Sequence, residues 1–249
     1  MAARTSVKAR RPLPRLVGVI SSRDDLRFAI RMRNPPDLFE LRLDHLVGIV
    51  NELENKLSML PAPLIITARH PREGGANNLS IKQRRELLLR FLPRARYVDV
   101  ELRSAKALRS FLEIARQKNV RRIVSFHNFS STPSARSLRA RARAAKSCGA
   151  DIFKVATRTD ILAQLARLLD FIANKDVDLA VSAMGIGKLG CISRIELMRR
   201  GSVLNYAHLG RARIAGQPSL RDIRRWTLAT PQPCEGGLDI ERLHNNEAS

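Results

Sequence analysis

The chain has 249 residues, 44% of them hydrophobic, which is enough for one large core or two small ones. No apolar run approaches the roughly 20 residues that cross a bilayer, and the amino-terminal segment lacks the apolar stretch of a secretory signal. We therefore expect a cytoplasmic protein with no membrane partner. The three cysteines are far apart and form no C-x-x-C pair, so neither a disulfide framework nor a zinc site is predicted.

The formal net charge of +22 points towards nucleic acid or another anionic partner. The charge is nevertheless spread widely, and arginine is four times as common as lysine. Many of the arginines fall at helix positions that are expected to face water. Aromatic residues make up only 4% of the chain, too few for platforms on which bases stack. We therefore interpret the charge as a solvated basic surface and do not expect nucleic acid as a partner.

Eight short β-branched or apolar runs alternate along the chain with longer segments of helical period. In chain order, the candidate strands are 16–20, 38–44, 63–69, 97–103, 122–128, 151–157, 178–184 and 203–208. Each of them is followed by a candidate helix.

Three of these helices have readable start signals. Ser80 with Gln83 forms a capping box, and Thr132-Pro133 places proline at a first helical position. Ser219 with Asp222 opens the last helix with an acid in its first turn. These signals support the division of the chain into strand and helix pairs.

Eight βα units predict a parallel sheet closed into a single-domain (β/α)8 barrel over residues 15–230. A basic tail (1–14) and a polar tail (231–249) flank it. An open, doubly wound sheet is the structural alternative. Such a sheet normally carries a glycine-rich phosphate turn after its first strand, whereas residues 20–23 read Ile-Ser-Ser-Arg.

Charged residues inside the strands are informative, because side chains alternate between the helix-packed face and the barrel interior. The alternation turns the following side chains inward: Glu40, Arg42 and Asp44; Thr67 and Arg69; Asp99, Glu101 and Arg103; Ser125 and His127; and Lys154. Burying such groups is costly unless they are paired, and charges at the carboxyl ends of barrel strands usually belong to an active site. A structural layer of ion pairs is the other interpretation.

Lys154 favours the active-site interpretation. Arginine is the better donor for a buried ion pair, whereas only lysine can lose its proton and attack a carbonyl. An amine within an apolar strand, near other cations, would have its charged form disfavoured. His127 is the one histidine of five at the inward end of a predicted strand, where it could shuttle protons. The pair predicts Schiff-base chemistry.

Eight segments also match a known family in order. They are ELRLD (40–44), TARHPREGG (67–75), DVEL (99–102), SFHNF (125–129), FKVAT (153–157), MGIGKLGCISR (184–194), GSVLNY (201–206) and AGQPS (215–219). On these segments the chain resembles the type I 3-dehydroquinate dehydratases, the Schiff-base enzymes of the shikimate pathway, over roughly residues 16–227. Each segment lies at the end of a predicted strand or at the start of its loop.

The resemblance implies the catalytic roles. Lys154 would form the imine with the ketone of 3-dehydroquinate, and His127 would act as general base and then general acid. Glu73, in the loop after the third strand, matches the acid that orients the histidine. The implied reaction yields 3-dehydroshikimate and water, the third step of the pathway to chorismate and the aromatic amino acids, without a metal or an organic cofactor.

The resemblance also implies the binding residues. Glu40, Arg42 and Arg69 match residues that hold the hydroxyls and help to close the site. Arg194 and Gln217 match those that bind the substrate carboxylate and a nearby hydroxyl. A planar guanidinium suits a carboxylate because it can bind both oxygens. Members of the family are often dimers, so a homodimer is expected.

The chain departs from the family pattern at three positions. Arg213 stands in the last loop where serine is common, Tyr206 where phenylalanine is frequent, and Val19 where a small polar residue is common. These changes affect loop closure and affinity more than the type of reaction.

Two other functions stay open. A class I aldolase is also a barrel with a Schiff-base lysine on its sixth strand, and Gly185–Gly187 could belong to a phosphate-binding loop. A catalytically inactive, basic, nucleic-acid-binding barrel is the second alternative.

Overall fold

A computed structural model of the chain describes residues 14–212 and 214–228. The two predicted tails lie outside this part of the chain, apart from Pro14. Among the described residues, none of the helices combines the length and the apolar character that crossing a membrane requires.

The eight strands form one parallel sheet. They are β1 (Arg15–Ile20), β2 (Leu38–Arg42), β3 (Leu64–Thr67), β4 (Ala95–Glu101), β5 (Arg121–Asn128), β6 (Ile152–Arg158), β7 (Ala180–Ile186) and β8 (Leu204–His208). Neighbours in the sheet follow chain order from β1 to β7, and β8 pairs with β1.

Hydrogen bonds also connect the remaining edges of the sheet, at β7 and β8. The Val203 N–H donates to the Val181 carbonyl at 2.9 Å, and the Ser182 hydroxyl donates to the Leu204 carbonyl at 2.7 Å. The sheet is thereby nearly closed into a ring. The predicted single-domain (β/α)8 barrel is confirmed, and the open doubly wound sheet is excluded because its strand order would reverse at a switch point.

Helices connect the strands on the outside of the barrel. They are α1 (Arg23–Ile30), α2 (Leu43–Leu46), α3 (Val50–Lys56), α4 (Ile81–Phe91), α5 (Leu102–Ala105), α6 (Arg109–Gln117), α7 (Ala135–Ser147), α8 (Leu162–Ala173), α9 (Gly190–Arg199) and α10 (Leu220–Leu228). Their apolar faces pack on the outward side chains of the strands, such as Phe39 and Phe153, and form the main core.

Two of the three predicted helix starts are confirmed. Ser80 and Gln83 exchange both hydrogen bonds of a capping box at α4. Ser219 accepts the Asp222 N–H at 3.1 Å at the start of α10. The Thr132-Pro133 prediction is wrong, because α7 begins at Ala135 behind an N-cap at Ser134. The Thr132 hydroxyl instead donates to the Arg158 carbonyl at 2.6 Å and so ties the loop to β6.

Three strands end two residues earlier than predicted: β2 at Arg42, β3 at Thr67 and β4 at Glu101. Leu43 and Leu102 already begin the short helices α2 and α5. Alternation alone cannot locate the ends of β2 and β4, because the first turn of a helix that follows directly continues the same apolar and polar order. Asp44 is still buried, but Arg103 is not inside the barrel: its side chain is 44% exposed.

The barrel interior is apolar near the amino ends of the strands and polar near their carboxyl ends. Val17, Leu38, Ile65, Ile123 and Leu204 belong to the apolar cluster there. Above this layer the inward positions carry polar residues predicted from the alternation, among them Glu40, Asp99 and Lys154, all of which are buried. The fold therefore places the charged groups at the mouth, where barrel enzymes have their active sites.

Candidate active site

A cavity of about 260 Å³ opens at the carboxyl ends of the strands. Its walls include all eight residues that the resemblance assigns to the site: Glu40, Arg42, Arg69, Glu73, His127, Lys154, Arg194 and Gln217. They come from five strands or the loops that follow them, and from one helix. Closing the sheet into a barrel is what brings together residues that are up to 177 positions apart, from Glu40 to Gln217.

Lys154 points into the barrel from β6 and is only 3% exposed. Its Nζ lies 2.9 Å from Oδ2 of Asp99 and 3.1 Å from Oε1 of Glu40, and 3.7 Å above the centre of the Tyr206 ring. The sequence predicted an amine near other cations, but the groups that contact it are two carboxylates and an aromatic face. These contacts hold the amine in place at the cavity wall.

Asp99 connects the amine to a buried guanidinium. Arg69 donates to both Asp99 oxygens, at 2.9 and 3.1 Å, and to the Ser125 hydroxyl at 2.6 Å. Burial acts to raise the pKa of Asp99, but Arg69 and Lys154 outweigh it and hold the pKa well below its usual range. Burial likewise acts against the charge of Arg69, and Asp99 and Glu101 outweigh it and raise the pKa. Asp99 and Arg69 therefore stay ionised.

His127 lies at the end of β5, and its Nδ1 is 3.0 Å from Oε2 of Glu73. The same oxygen accepts the His127 backbone N–H, also at 3.0 Å. Burial, followed by the charges of Arg69 and Lys154, lowers the pKa of His127 well below 6.5. The ring is therefore neutral, and the tautomer with its proton on Nδ1, towards Glu73, has its lone pair on Nε2.

Glu73 ends a tight turn, Pro71–Glu73, directly after β3. Gly74 follows in the left-handed region with φ of 81°, where glycine avoids the strain of a side chain. Burial raises the pKa of Glu73 to about 7, although Arg69 acts in the opposite direction. Arg103, which was predicted to lie inside the barrel, contacts the other carboxylate oxygen at 3.1 Å and so supports Glu73 from outside the barrel.

Asp44 and Arg42 hold the loop that carries Glu73. Asp44 is buried and accepts the Ala76 N–H at 3.0 Å and the Arg69 N–H at 3.2 Å. Arg42 forms a two-pronged pair with Asp44 and donates to the Gly74 carbonyl at 2.9 Å. Burial acts to raise the pKa of Asp44, and Arg42 outweighs it and lowers the pKa. Asp44 therefore anchors a loop and does not line the cavity.

Arg194 projects from α9 and is only 5% exposed. Its Nη1 lies 3.2 Å from the Tyr206 carbonyl and 3.4 Å from the Met184 sulfur, and its Nε has no partner among the described residues. Burial lowers the pKa of Arg194 to about 10, so it remains a cation at neutral pH. A buried cation that contacts no carboxylate in the described part of the chain is prepared for an anionic ligand.

Gln217 lines the same cavity from the loop before α10, where its backbone N–H donates to the Ile214 carbonyl at 3.1 Å. The preceding loop contains Arg213, which lies outside the described residues. Arg211 lines the cavity mouth and is exposed.

Sequence reasoning missed several contributors. Tyr206, singled out only as a departure from the family, supplies the ring beneath Lys154. Phe129 stacks on His127, with 6.5 Å between ring centres and a 16° interplanar angle. Arg84 on α4 is only 1% exposed and ion-pairs with Glu101. The apolar pattern marks none of these, although the SFHNF segment contains Phe129.

The site does not resemble a metal centre. In residues 14–212 and 214–228, no three His, Cys, Asp or Glu side chains are grouped as ligands for a metal ion. The acids that face the cavity are already paired with cations or hydrogen-bond donors.

Comparison with known proteins agrees with this geometry. Residues 19–229 match the family model described as Type I 3-dehydroquinase. The chain is 31% identical over 218 residues to the 3-dehydroquinate dehydratase of Thermodesulfovibrio yellowstonii, covering 85% of this chain and 93% of that one. It is 34% identical over 199 residues to that of Methanothermobacter thermautotrophicus, covering 79% and 86%.

Solved structures are similar too. The crystal structure of 3-dehydroquinate dehydratase from Geobacillus kaustophilus superimposes with a TM-score of 0.78 at 26% identity, covering 86% of this chain and 89% of that one. The enzyme from Aquifex aeolicus gives 0.72 at 27%, covering 87% and 99%. The fold, the cavity and these likenesses agree: the chain belongs to the type I 3-dehydroquinase family.

Proposed function

We propose that the chain converts 3-dehydroquinate to 3-dehydroshikimate and water through an imine on Lys154, the third step of the shikimate pathway. The observation that carries the proposal is the buried amine of Lys154. It shares one cavity with the His127 and Glu73 pair and with the guanidinium of Arg194, which contacts no carboxylate among the described residues. Family membership supports the same reaction.

Substrate binding follows from the unpaired groups. Arg194 and Gln217 bind the carboxylate and the hydroxyl on the same ring carbon. Glu40 uses Oε1 for the Thr67 hydroxyl and for Lys154, which leaves Oε2 for another substrate hydroxyl. Arg42 and Arg69 also line the cavity, and each already forms a two-pronged pair with a carboxylate, Arg42 with Asp44 and Arg69 with Asp99. We propose that they shape and close the site more than they grip the substrate.

Imine formation begins when the amine loses a proton and attacks the ketone carbon. Arg69 lowers the pKa of Asp99, so the proton is assigned to Glu40, whose Oε1 lies 3.1 Å from Nζ. The carbinolamine then loses water and leaves a protonated imine. This imine is an electron sink, which acidifies the adjacent C–H bond.

His127 completes the elimination. Its Nε2 removes a proton from the carbon between the imine and the carbon that bears the departing hydroxyl, and an enamine forms. The enamine electrons then expel the hydroxyl, which takes the proton back from His127 and leaves as water. Hydrolysis of the remaining imine releases the product and regenerates the Lys154 amine, so the net change is loss of one water.

The direct test is a spectroscopic assay with purified protein. The product is a conjugated enone and the substrate is not, so ultraviolet absorbance should grow when 3-dehydroquinate is added. No growth at any substrate concentration, with folded protein, would reject the proposed function.

The aldolase alternative is weakened by the loop after β7. A phosphate-binding loop needs free backbone N–H groups. Here the N–H of Gly187 donates to the Ala215 carbonyl, that of Lys188 to the Asp160 carboxylate, and that of Leu189 to the Thr159 carbonyl. These donors are therefore engaged within the protein.

The proposal includes a cytoplasmic homodimer, with no nucleic acid as partner. Sedimentation of the purified protein tests the dimer. Salt-dependent binding to duplex or single-stranded nucleic acid, without turnover, would favour the inactive-barrel alternative.

Arg194 gives the first mutational prediction. Arg194→Gln should raise KM by about 10²- to 10³-fold and change kcat little, because a buried charge partner of the carboxylate is lost in ground and transition states alike. Arg199→Gln, at an exposed ion pair on the same helix, is the matched control and should leave KM unchanged. Equal KM values for the two variants would remove Arg194 from carboxylate binding.

Glu73 predicts a pH dependence. With a pKa of about 7, Glu73 is neutral below that pH and ionised above it, whereas His127 is neutral on both sides. Only the ionised carboxylate holds the Nδ1–H tautomer, so kcat should be about tenfold lower at pH 6 than at pH 8. Steady-state kcat values measured from pH 6 to pH 8 test this roughly tenfold change.

The control for this step is Glu73→Gln, whose amide does not titrate. Its rate should vary less than about twofold over the same interval. If kcat of this variant still changed about tenfold between pH 6 and pH 8, the titration would belong to another group.

A further inference from the structure

Two arginines converge on one buried hydroxyl at the amino end of the barrel, opposite to the cavity. Tyr97 on β4 is 1% exposed, and its hydroxyl accepts hydrogen bonds from Nη1 of Arg15 at 2.7 Å and from Nη1 of Arg121 at 3.2 Å. The Arg121 guanidinium also lies 5.4 Å from the centre of the Tyr97 ring.

Strand register explains the convergence. Tyr97 pairs with Arg121 across β4 and β5, and Arg15 pairs with Leu204 across β1 and β8. Paired residues of parallel strands face the same side of a sheet. Tyr97 and Leu204 belong to the interior cluster, so both arginines begin inside the ring of strands and approach the phenol from two sides.

The positive charge of this pair is not balanced by an acid in the described part of the chain. Neither Arg15 nor Arg121 forms an ion pair there, whereas the next residue, Arg122, pairs with Asp151 at 3.2 Å. Asp37, which precedes β2, instead accepts the Leu16 N–H at 2.7 Å. Two guanidinium groups that meet at one oxygen repel each other, and an anion bound between them would remove this repulsion.

The hydroxyl itself points to a ligand. A phenol accepts two hydrogen bonds and donates one. The two arginines fill both acceptor positions of Tyr97, and its proton has no acceptor among the described residues. The cluster therefore presents one O–H and the remaining guanidinium N–H groups, and it presents no acceptor for a donor ligand.

We propose that Arg15, Arg121 and the Tyr97 hydroxyl form a second anion site, which binds a phosphate dianion as inorganic phosphate or a phosphate monoester. A dianion neutralises both guanidinium charges, whereas a monocarboxylate leaves one unbalanced. Guanidinium groups bind phosphate oxygens in pairs. The site lies at the opposite end of the barrel from Lys154 and does not depend on the proposed reaction.

Thermal unfolding tests the site, because a ligand that binds the folded state alone raises Tm. Above the second pKa of phosphate, a tenfold excess over the dissociation constant should raise Tm by about 3–6 °C relative to sodium chloride of equal ionic strength. Acetate should give a smaller shift. Inorganic phosphate and glycerol phosphate are run separately: a shift with the first alone assigns inorganic phosphate, and a shift with both assigns the monoester class.

Variants locate the binding. Each phosphate shift is taken from that variant's own phosphate-free Tm, so a change in basal stability does not hide it. Arg121→Gln should lose the shift, and Arg15→Gln, at an exposed side chain, repeats the test if the first variant does not fold. Arg136→Gln, an exposed arginine on α7, should keep it.

The last comparison separates this site from the cavity. Arg194→Gln removes the cation at the barrel mouth and should keep the phosphate shift. The proposal is overturned if phosphate gives no shift, or if the shift survives loss of Arg121 and Arg15. A shift lost only with Arg194 would also overturn it, by placing the anion in the active site.

Discussion

Replacing Lys154 with arginine should reduce kcat by roughly 10⁵- to 10⁶-fold, the scale of loss seen when an enzyme loses its covalent nucleophile. Arginine keeps a positive charge beside Asp99 and Glu40 but does not lose its proton to attack a ketone. The absorbance assay for the enone product measures the loss.

The choice of arginine separates chemistry from folding. Lys154 is paired with two buried carboxylates. A neutral substitute would leave these charges uncompensated, at a cost of about 3–5 kcal/mol. The matched control is Lys188→Arg, at an exposed lysine in the loop after β7, and it should retain normal turnover. If Lys154→Arg retained more than about a hundredth of the activity with Tm unchanged, the imine would not be required.

His127→Ala should reduce dehydration by roughly 10²- to 10⁴-fold and still allow the imine to form. Nε2 of His127 is proposed to move the proton of the elimination, whereas the contacts of Lys154 with Glu40 and Asp99 do not involve the histidine. Turnover measured by absorbance, beside trapping of the imine by borohydride in the same sample, distinguishes the two steps.

A near-normal turnover would remove His127 from the role of general base. Loss of trapping together with turnover would show instead that the histidine is needed for imine formation. His127 is expected to be neutral between pH 6 and pH 8. The fold-loss of turnover in His127→Ala should therefore be constant over this range, apart from the change in rate assigned to Glu73.

The barrel could be predicted because its signals are local and repeated. Eight segments with a two-residue period, each followed by a segment with a 3.6-residue period, define the strands and helices. Within the strands, the inward and outward order of side chains also placed Glu40, Asp99 and Lys154 on the inward face. Local patterns did not locate the ends of β2 and β4, because short helices continue the same order of apolar and polar residues. The exposed Arg103 is the error that resulted.

The remaining part of the site depends on contacts between distant residues. Glu73 lies in a turn whose position is fixed by hydrogen bonds that neighbouring backbone N–H groups donate to the carboxylates of Asp44 and Glu101. No periodic signal places such a turn, and the resemblance alone singled it out. The partners of Lys154 were also unforeseen, since the alternation gives the direction of each side chain but not which carboxylate reaches the amine.

Buried charge at the mouth is expensive, and the structure shows how this cost is limited. Arg69, Asp99 and Lys154 form one connected network in which each charge has an opposite partner within 3.1 Å. Arg194 is the exception, with no carboxylate partner in the described part of the chain. A network that is satisfied except at one cation is suited to a substrate that carries one carboxylate.

The central claim is that the Lys154 amine forms a covalent imine with the substrate ketone. Incubation with 3-dehydroquinate and sodium borohydride, followed by peptide mass spectrometry, tests it most directly. We expect one reduced adduct per chain, located on Lys154 and absent from Lys154→Arg. An active preparation that gives no adduct, or an adduct on a different lysine, would contradict the account.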